Sequence, residues 1–162
     1  MRLIKDKIKS PKKLKGITLQ LKKRGKKIAF TNGCFDILHY GHISILERAK
    51  KTADILVVAI NSNSSVKRIK GKKRPILDLM DRMRTVAGLE SVDFVTSFNQ
   101  DTPLALIKLL KPDFIVKGGD WSRNKVVGKE IVESYGGGVV ILPFIKGKSS
   151  SKIIEKIDQS ST

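Results

Sequence analysis

The amino-acid sequence predicts an α/β fold: a single domain with a central parallel sheet flanked by helices. Three observations point there. From residue 27 to residue 157, short apolar runs alternate with helical stretches, the pattern of a doubly wound sheet. The run ILVVAI at 55–60 is rich in β-branched residues and apolar on both faces, as a central parallel strand is. The unusual residues of the chain fall just after the apolar runs, and in such sheets ligands bind outside the carboxyl ends of the strands.

Taken in order, residues 11–24 read as an amphipathic helix started by Pro11 and ended by Gly25. Leu14, Ile17, Leu19 and Leu21 are available for its core face. Residues 27–31 read as a buried strand. Residues 41–51 read as a helix with Ile43, Leu46 and Ala49 on one side, and 55–60 as the clearest strand. Then come a helix over 78–89, a strand over 93–97, and a helix over 103–110 stopped before Pro112. A strand over 113–117, a helix over 128–135 and a strand over 139–142 follow. The closing helix, 149–157, opens on Ser149, Ser150 and Ser151, residues favoured at an N-cap. The chain's 162 residues suffice for one good core but not for two ordinary domains. The expected division is a basic N-terminal helical extension over 1–26 and the α/β domain over 27–158.

Hydrophobic residues make up 40% and charged residues 30%, the balance of a soluble globular chain. No apolar run approaches the roughly 20 residues of a membrane span. No apolar stretch follows the basic N-terminus as it would in a secretory signal. A single cysteine, Cys34, forms no internal disulfide and reads as a packing residue. Together these favour the cytoplasm and no membrane insertion. The net charge is +18, and residues 1–27 hold twelve Lys or Arg against one acid, Asp6. Such a surface attracts nucleic acid, anionic lipid or phosphorylated metabolites. Lysine outnumbers arginine 25 to 8, whereas sequence-specific readers lean on the arginine fork. The charge is therefore expected to be a solvated basic face without a specific nucleic-acid partner.

The chemistry concentrates in residues 31–42, TNGCFDILHYGH. Gly33 permits a tight turn after the strand. His39 and His42 are three apart around a helix start, so on one first turn they project from the same side. Free N–H groups and the positive end of the dipole favour an anion there. Gly41 lets a ligand approach the backbone. The cluster suits phosphate oxygens; helix capping is the alternative. No Cys pair or His-Glu-x-x-His pattern accompanies these two histidines, so no protein metal site is expected. Thr31 and Asn32 are placed to line the nucleotide side of the pocket, with loop hydrogen bonding as the alternative. Lys70, Lys72, Lys73 and Arg74 form a basic loop able to reach a triphosphate, or else a solvated loop. Lys117, Gly118, Gly119 and Asp120 follow a strand; the glycines admit a ligand and Asp120 suits a hydroxyl or magnesium, with a plain turn as the alternative. Three serines at 149–151 exceed what one cap needs. Trp121 reads as a packing or lid residue.

GCFDILHYGH at 33–42 resembles the signature of the cytidylyltransferase-like nucleotidyltransferases, in which Gly-x-Phe-Asp precedes His-x-Gly-His. The resemblance runs from about residue 27 to 157 and implies a Rossmann-like nucleotidyltransferase fold. Within that family the chain is most similar to the adenylyltransferases that make ADP-heptose. The similarity lies in 31–42, in VAINSNSSVKRIKGKKRPI at 58–76, in VKGGDW at 116–121 and in LPFIKGKSSSKIIEKI at 142–157. It implies transfer of AMP from ATP, with Mg2+, to D-glycero-β-D-manno-heptose 1-phosphate for lipopolysaccharide core synthesis. It implies a homodimer working with a separate heptose 7-phosphate kinase. In some bacteria that kinase is fused to this domain, and here the stand-alone form is expected. Carried onto this chain, His39, His42 and Lys72 are the catalytic set. Thr31, Asn32, Gly33, Phe35, Gly41, Lys70, Lys117, Gly118, Ser149, Ser150 and Ser151 hold the nucleotide, and Asp36 and Asp120 hold the acceptor.

Two other functions fit the same residues. One is cytidylyl transfer to a polyol phosphate such as glycerol 3-phosphate. The other is a basic nucleic-acid-binding module that has kept the fold. CTP-using relatives carry Arg-Thr-Glu-Gly-Ile-Ser-Thr-Thr before the closing helix; here the stretch is Phe144, Ile145, Lys146, Gly147, Lys148 and the three serines. Losing the arginine fork and a hydroxyl predicts ATP over CTP, unless Lys146 or Lys148 replaces the arginine from a shifted position.

Overall fold

The structure, a computed structural model, describes residues 3–119, 121–143, 145 and 149–160. Its centre is a five-stranded sheet of β1 (Ile28–Gly33), β2 (Ile55–Asn61), β3 (Phe94–Phe98), β4 (Phe114–Gly118) and β5 (Gly138–Leu142). All pairings are parallel, in the order β3-β2-β1-β4-β5. The α/β fold with a central parallel sheet is thus the one the sequence predicts. Every residue of β2 is buried, which accounts for its unbroken apolar run. The chain steps outward from β1 through β2 to β3, then crosses to β4 on the other side of β1. The topological switch therefore lies between β1 and β4, paired as Ala29 to Phe114 and Phe30 to Ile115.

Period-two alternation divides the core into two layers. Phe30, Val57 and Ile115 face one side, with Leu14, Ile107 and Val132 from the helices α2 (Pro11–Lys23), α6 (Leu104–Leu110) and α7 (Lys129–Glu133). Ala29, Leu56 and Val58 face the other, with Leu46 and Ala49 of α3 (Tyr40–Lys50) and Met83 and Val86 of α5 (Leu79–Ala87). The basic N-terminal segment is packed onto this body. The N–H of Lys9 donates to the carbonyl of Val95 at 2.9 Å, and Leu14 is fully buried. The buried stripe of α2 runs through Leu14, Ile17, Thr18 and Leu21, while Leu19 is 56% exposed. That corrects the expected core face: at 3.6 residues per turn Thr18 falls on the stripe and Leu19 lies off it.

Three elements go beyond those the sequence predicts: α1 (Ile4–Lys7), α4 (Asn63–Lys70) and a single 3-10 turn at Arg123–Lys125. The helix α4 is capped by Ser62, whose hydroxyl accepts from the Ser65 N–H at 3.1 Å. Only Ser65 and Val66 of its eight residues are buried, too few for an apolar stripe to stand out. The last helix, α8, spans Ser150–Ser160. Among the described residues no helix is long and apolar enough to cross a membrane.

The amino edge of the sheet is closed by aspartates that directly precede strands. Asp54 accepts the Lys27 N–H at 2.8 Å, Asp93 that of Leu56 at 2.7 Å, and Asp113 that of Ile28 at 2.9 Å. Each satisfies a backbone donor that no neighbouring strand reaches. Lys26, Lys50 and Lys27 then pair with Asp54, Asp93 and Asp113 in turn.

At the opposite edge Gly118 ends β4. A Cβ there would stand 2.4 Å from Cδ1 of Ile45 on α3, so the end of that side chain would have to shift. Gly118→Ala is expected to cost about 1–3 kcal/mol in urea unfolding, the usual cost of overpacking. Adding Ile45→Val removes the offending carbon and should recover part of the loss. Strict additivity of the two changes would show that this contact is not the cause.

Candidate active site

His39 is the N-cap of α3, with extended backbone at φ −142° and ψ 168°, and His42 lies within the first helical turn. Their rings stack with centroids 3.9 Å apart and planes at 27°. The spacing read from the sequence thus brings both imidazoles to one side of the helix start, at the carboxyl end of β1. The ring of Phe35 leans on His42 at 5.2 Å. Phe35 has φ +47°, a left-handed conformation uncommon for a bulky residue. A Cβ on Gly33 would meet the Phe35 ring at 3.0 Å, so Gly33 makes room for it. Nδ1 of His42 is buried without a hydrogen-bond partner among the described residues. Burial first, and the neighbouring His39 second, push the His42 pKa down to about 4. His42 is therefore neutral at physiological pH, one ring nitrogen carrying a proton and the other open as an acceptor.

Across the switch point, Lys117 near the end of β4 donates from Nζ to Oδ1 of Asn32 on β1. The ammonium also lies 5.9 Å from the centroid of the half-exposed Trp121 ring. Burial lowers the Lys117 pKa to about 8. Thr31 is buried within β1, 4% exposed. Cys34 is half-buried, and burial raises its thiol pKa; an inert packing thiol fits both facts.

The start of α8 is brought to the same loop. Ser150 donates from Oγ to the carbonyl of Ile37 at 3.0 Å, and Ser149 caps the helix by accepting the Lys152 N–H at 3.2 Å. Two of the three hydroxyls expected on phosphate thus make contacts within the fold, and Ser151 is exposed. Lys70 ends α4, and Lys72 and Lys73 follow, all three exposed. Asp36, expected to hold the acceptor, is tied to a segment of the chain itself. It is 2% exposed, and its oxygens receive Arg74 Nε at 2.6 Å and the N–H groups of Ile76 at 2.8 Å and Leu77 at 2.9 Å. Asp120, Phe144, Lys146, Gly147 and Lys148 lie outside the described residues.

One residue of this region does not stand out in the sequence. Arg82 on α5 is fully buried and donates to four acceptors: the carbonyls of Leu77 at 3.0 Å, Cys34 at 2.6 Å and Asn61 at 2.9 Å, and Oδ1 of Asn63 at 2.8 Å. It gathers the ends of β1 and β2 and the segment before α5 at one guanidinium. The one signal of it in the sequence is its place on an apolar stripe with Met83 and Val86.

Comparison with known proteins gives the family. Residues 30–156 match the family model described as cytidylyltransferase-like. The bifunctional protein HldE of Geobacter metallireducens is 52% identical over 151 residues, 93% of this chain and 31% of that protein. HldE of Hahella chejuensis is 57% identical over 133 residues, 82% of this chain and 28% of that one. The chain spans less than a third of the length of these relatives. Among solved structures, a lipopolysaccharide core biosynthesis protein from Thermoplasma volcanium GSS1 has a TM-score of 0.62 at 31% identity, covering 76% of this chain and 100% of its own. The pantoate-beta-alanine ligase of Francisella tularensis has a TM-score of 0.61 at 18% identity, a likeness of fold. The chain belongs to the cytidylyltransferase-like family of nucleotidyltransferases.

Proposed function

We propose that this chain transfers AMP from ATP to D-glycero-β-D-manno-heptose 1-phosphate, giving ADP-heptose and pyrophosphate. The observation that carries the reading is the stacked His39–His42 pair at the start of α3, which follows the carboxyl end of β1 at the switch point. The sugar follows from the similarity to the HldE proteins and to the lipopolysaccharide core biosynthesis protein of Thermoplasma.

An oxygen of the acceptor phosphate attacks the α-phosphorus of ATP. The bond from that phosphorus to the bridging oxygen breaks, and pyrophosphate leaves with the electron pair. The acceptor is already a competent nucleophile, so no general base or covalent enzyme intermediate is needed. Catalysis is positioning and charge stabilisation. His39, His42 and the N-terminus of α3 face the α-phosphate. Lys70, Lys72, Lys73 and the serine end of α8 hold the departing pyrophosphate. Among the described residues no group of three His, Cys, Asp or Glu could hold a metal; magnesium enters as MgATP, bound through the phosphates. The reading includes a cytoplasmic homodimer served by a heptose 7-phosphate kinase. The basic face contributes low-salt binding to nucleic acid without sequence preference. Tight binding of one sequence at physiological salt would overturn that part.

The test is pyrophosphate release from each NTP with a panel of sugar and polyol phosphates. ATP with heptose 1-phosphate should give the highest kcat/KM, at least about tenfold above CTP. If CTP is equal or better, the adenylyl choice fails while nucleotidyl transfer stands.

Lys117 gives the reading a pH signature. Its free-protein pKa of about 8 lies below the usual lysine value, so the phosphate-binding charge is present below pH 8 and lost above it. kcat/KM for ATP should fall as pH rises through about 8. Bound phosphate favours the charged form, so the corresponding limb in kcat lies higher. Lys117→Arg keeps the charge and should remove the limb; a limb unchanged in that variant would assign it elsewhere.

A further inference from the structure

Asp36 lies three residues before His39 in the signature loop, yet all its described polar contacts point to one short segment. Oδ2 receives Nε of Arg74 at 2.6 Å, Oδ1 receives the Leu77 N–H at 2.9 Å, and the Ile76 N–H lies 2.8 and 3.0 Å from the two oxygens. A carboxylate has about four lone-pair sites, and these donors take most of them. A sugar hydroxyl would have to displace one from a side chain that is 1% exposed.

Arg82 fixes the same segment from the other side. It donates to the carbonyls of Leu77 and of Cys34, two residues before Asp36. Residues 74–77 are therefore clamped to residues 34–36 by two opposite charges, each tying backbone. The preceding end is held as well: Asn63 of α4 accepts from Arg82 and donates to Asp78 at 3.0 Å. Between α4, which ends at Lys70, and the clamp at Arg74 stand only Gly71, Lys72 and Lys73, with φ +97° at Gly71. Three residues between two fixed ends have little freedom. The exposed lysines are thus carried on a short strap whose far end is bolted to the loop that also carries the histidines.

We propose that Asp36 is a positioning residue, which through Arg74 and the 76–77 backbone holds Lys70, Lys72 and Lys73 in register with His39 and His42, and that it does not contact the acceptor. The proposal rests on the nucleotidyl-transfer reading above. Burial works to raise the Asp36 pKa, but the Leu77 and Ile76 amides and Arg74 outweigh it and keep it below the ordinary value. The carboxylate stays ionised at working pH. Orientation supplied in advance in this way appears in catalysis as tighter or better-placed nucleotide.

The experiment is two-substrate kinetics on Asp36→Asn, Arg74→Ala, Arg74→Lys and the Asp36→Asn/Arg74→Ala double variant. KM for ATP should rise about tenfold in both Asp36→Asn and Arg74→Ala, and the KM for heptose 1-phosphate should stay within about twofold. The double variant should be no worse than either single, because both break one link. Arg74→Lys should recover part of the ATP effect. A raised sugar-phosphate KM with unchanged ATP KM in Asp36→Asn would overturn the proposal and put Asp36 on the acceptor. If Asp36→Asn does not fold, the Arg74 pair decides: no change in ATP KM for Arg74→Ala overturns it. If the unmodified chain turns over no nucleotide, the functional reading fails, and the clamp is judged by trypsin alone. Cleavage after Lys72 and Lys73 should speed up about tenfold in Arg74→Ala as the local structure opens; an unchanged rate would overturn the clamp.

Discussion

His42→Ala is expected to keep the fold and lose roughly 10²–10³ in turnover, the usual effect of removing one transition-state donor. The ring lies in the first turn of α3, stacked on His39, with a buried nitrogen unpaired among the described residues. A nitrogen kept dry and without a partner is costly to the fold and useful to a ligand. The pH dependence of stability separates the two roles. The folded pKa of about 4 lies below the unfolded 6.5, so the unfolded chain takes up the proton first. Stability is full above pH 6.5 and falls as pH drops toward 4; this part should flatten in His42→Ala. Near-normal turnover in the folded variant would remove His42 from the mechanism. A large loss of melting temperature at neutral pH would make the histidine structural.

Arg82→Ala is expected to cost roughly 3–5 kcal/mol of stability, because it leaves both a cavity and several buried acceptors without a donor. Carbonyls at residues 34, 61 and 77 lose their donor together, so the ends of β1 and β2 loosen around the histidine loop. Arg82→Lys should recover little, since one ammonium cannot reproduce the fork. Urea unfolding checks this through the midpoint at constant slope. A shift under about 1 kcal/mol would mean that water replaces the guanidinium without penalty.

Much of this architecture is legible in the amino-acid sequence. Strands with apolar faces and helices with caps can be read there because burial and periodicity are local properties, and residues 55–60 and 31–42 carry both. The pairing of His39 with His42 is legible because helical geometry converts a spacing of three into a shared face. Other features depend on where distant segments meet. Asp36 is placed on the acceptor by resemblance alone, and its contacts with the 74–77 segment, 38 to 41 residues along the chain, come only with the fold. Arg82 does not stand out in the sequence because its four acceptors come from other elements. Leu19 departs from expectation for a simpler reason: a set of apolar residues is not yet a stripe. The helix α4 is hidden because its sequence is polar and its order comes from the Ser62 cap and the contacts of Asn61 and Ser65.

The aspartates ahead of β2, β3 and β4 also shape the space outside the protein. Their partners are Lys22, Lys26, Lys27 and Lys50, so four cations at that end of the sheet are held in ion pairs. Among the described residues, no ion pair involves Lys70, Lys72, Lys73 or Lys117. In a chain of net charge +18, lysines at the carboxyl edge are thus left free of carboxylate partners, while part of the charge at the amino edge is paired. A polyphosphate diffusing past would feel the carboxyl edge at about a Debye length, roughly 8 Å in physiological salt, and turn its charged end inward before contact. Three side chains remote from the histidines thus bear on how an anion approaches them.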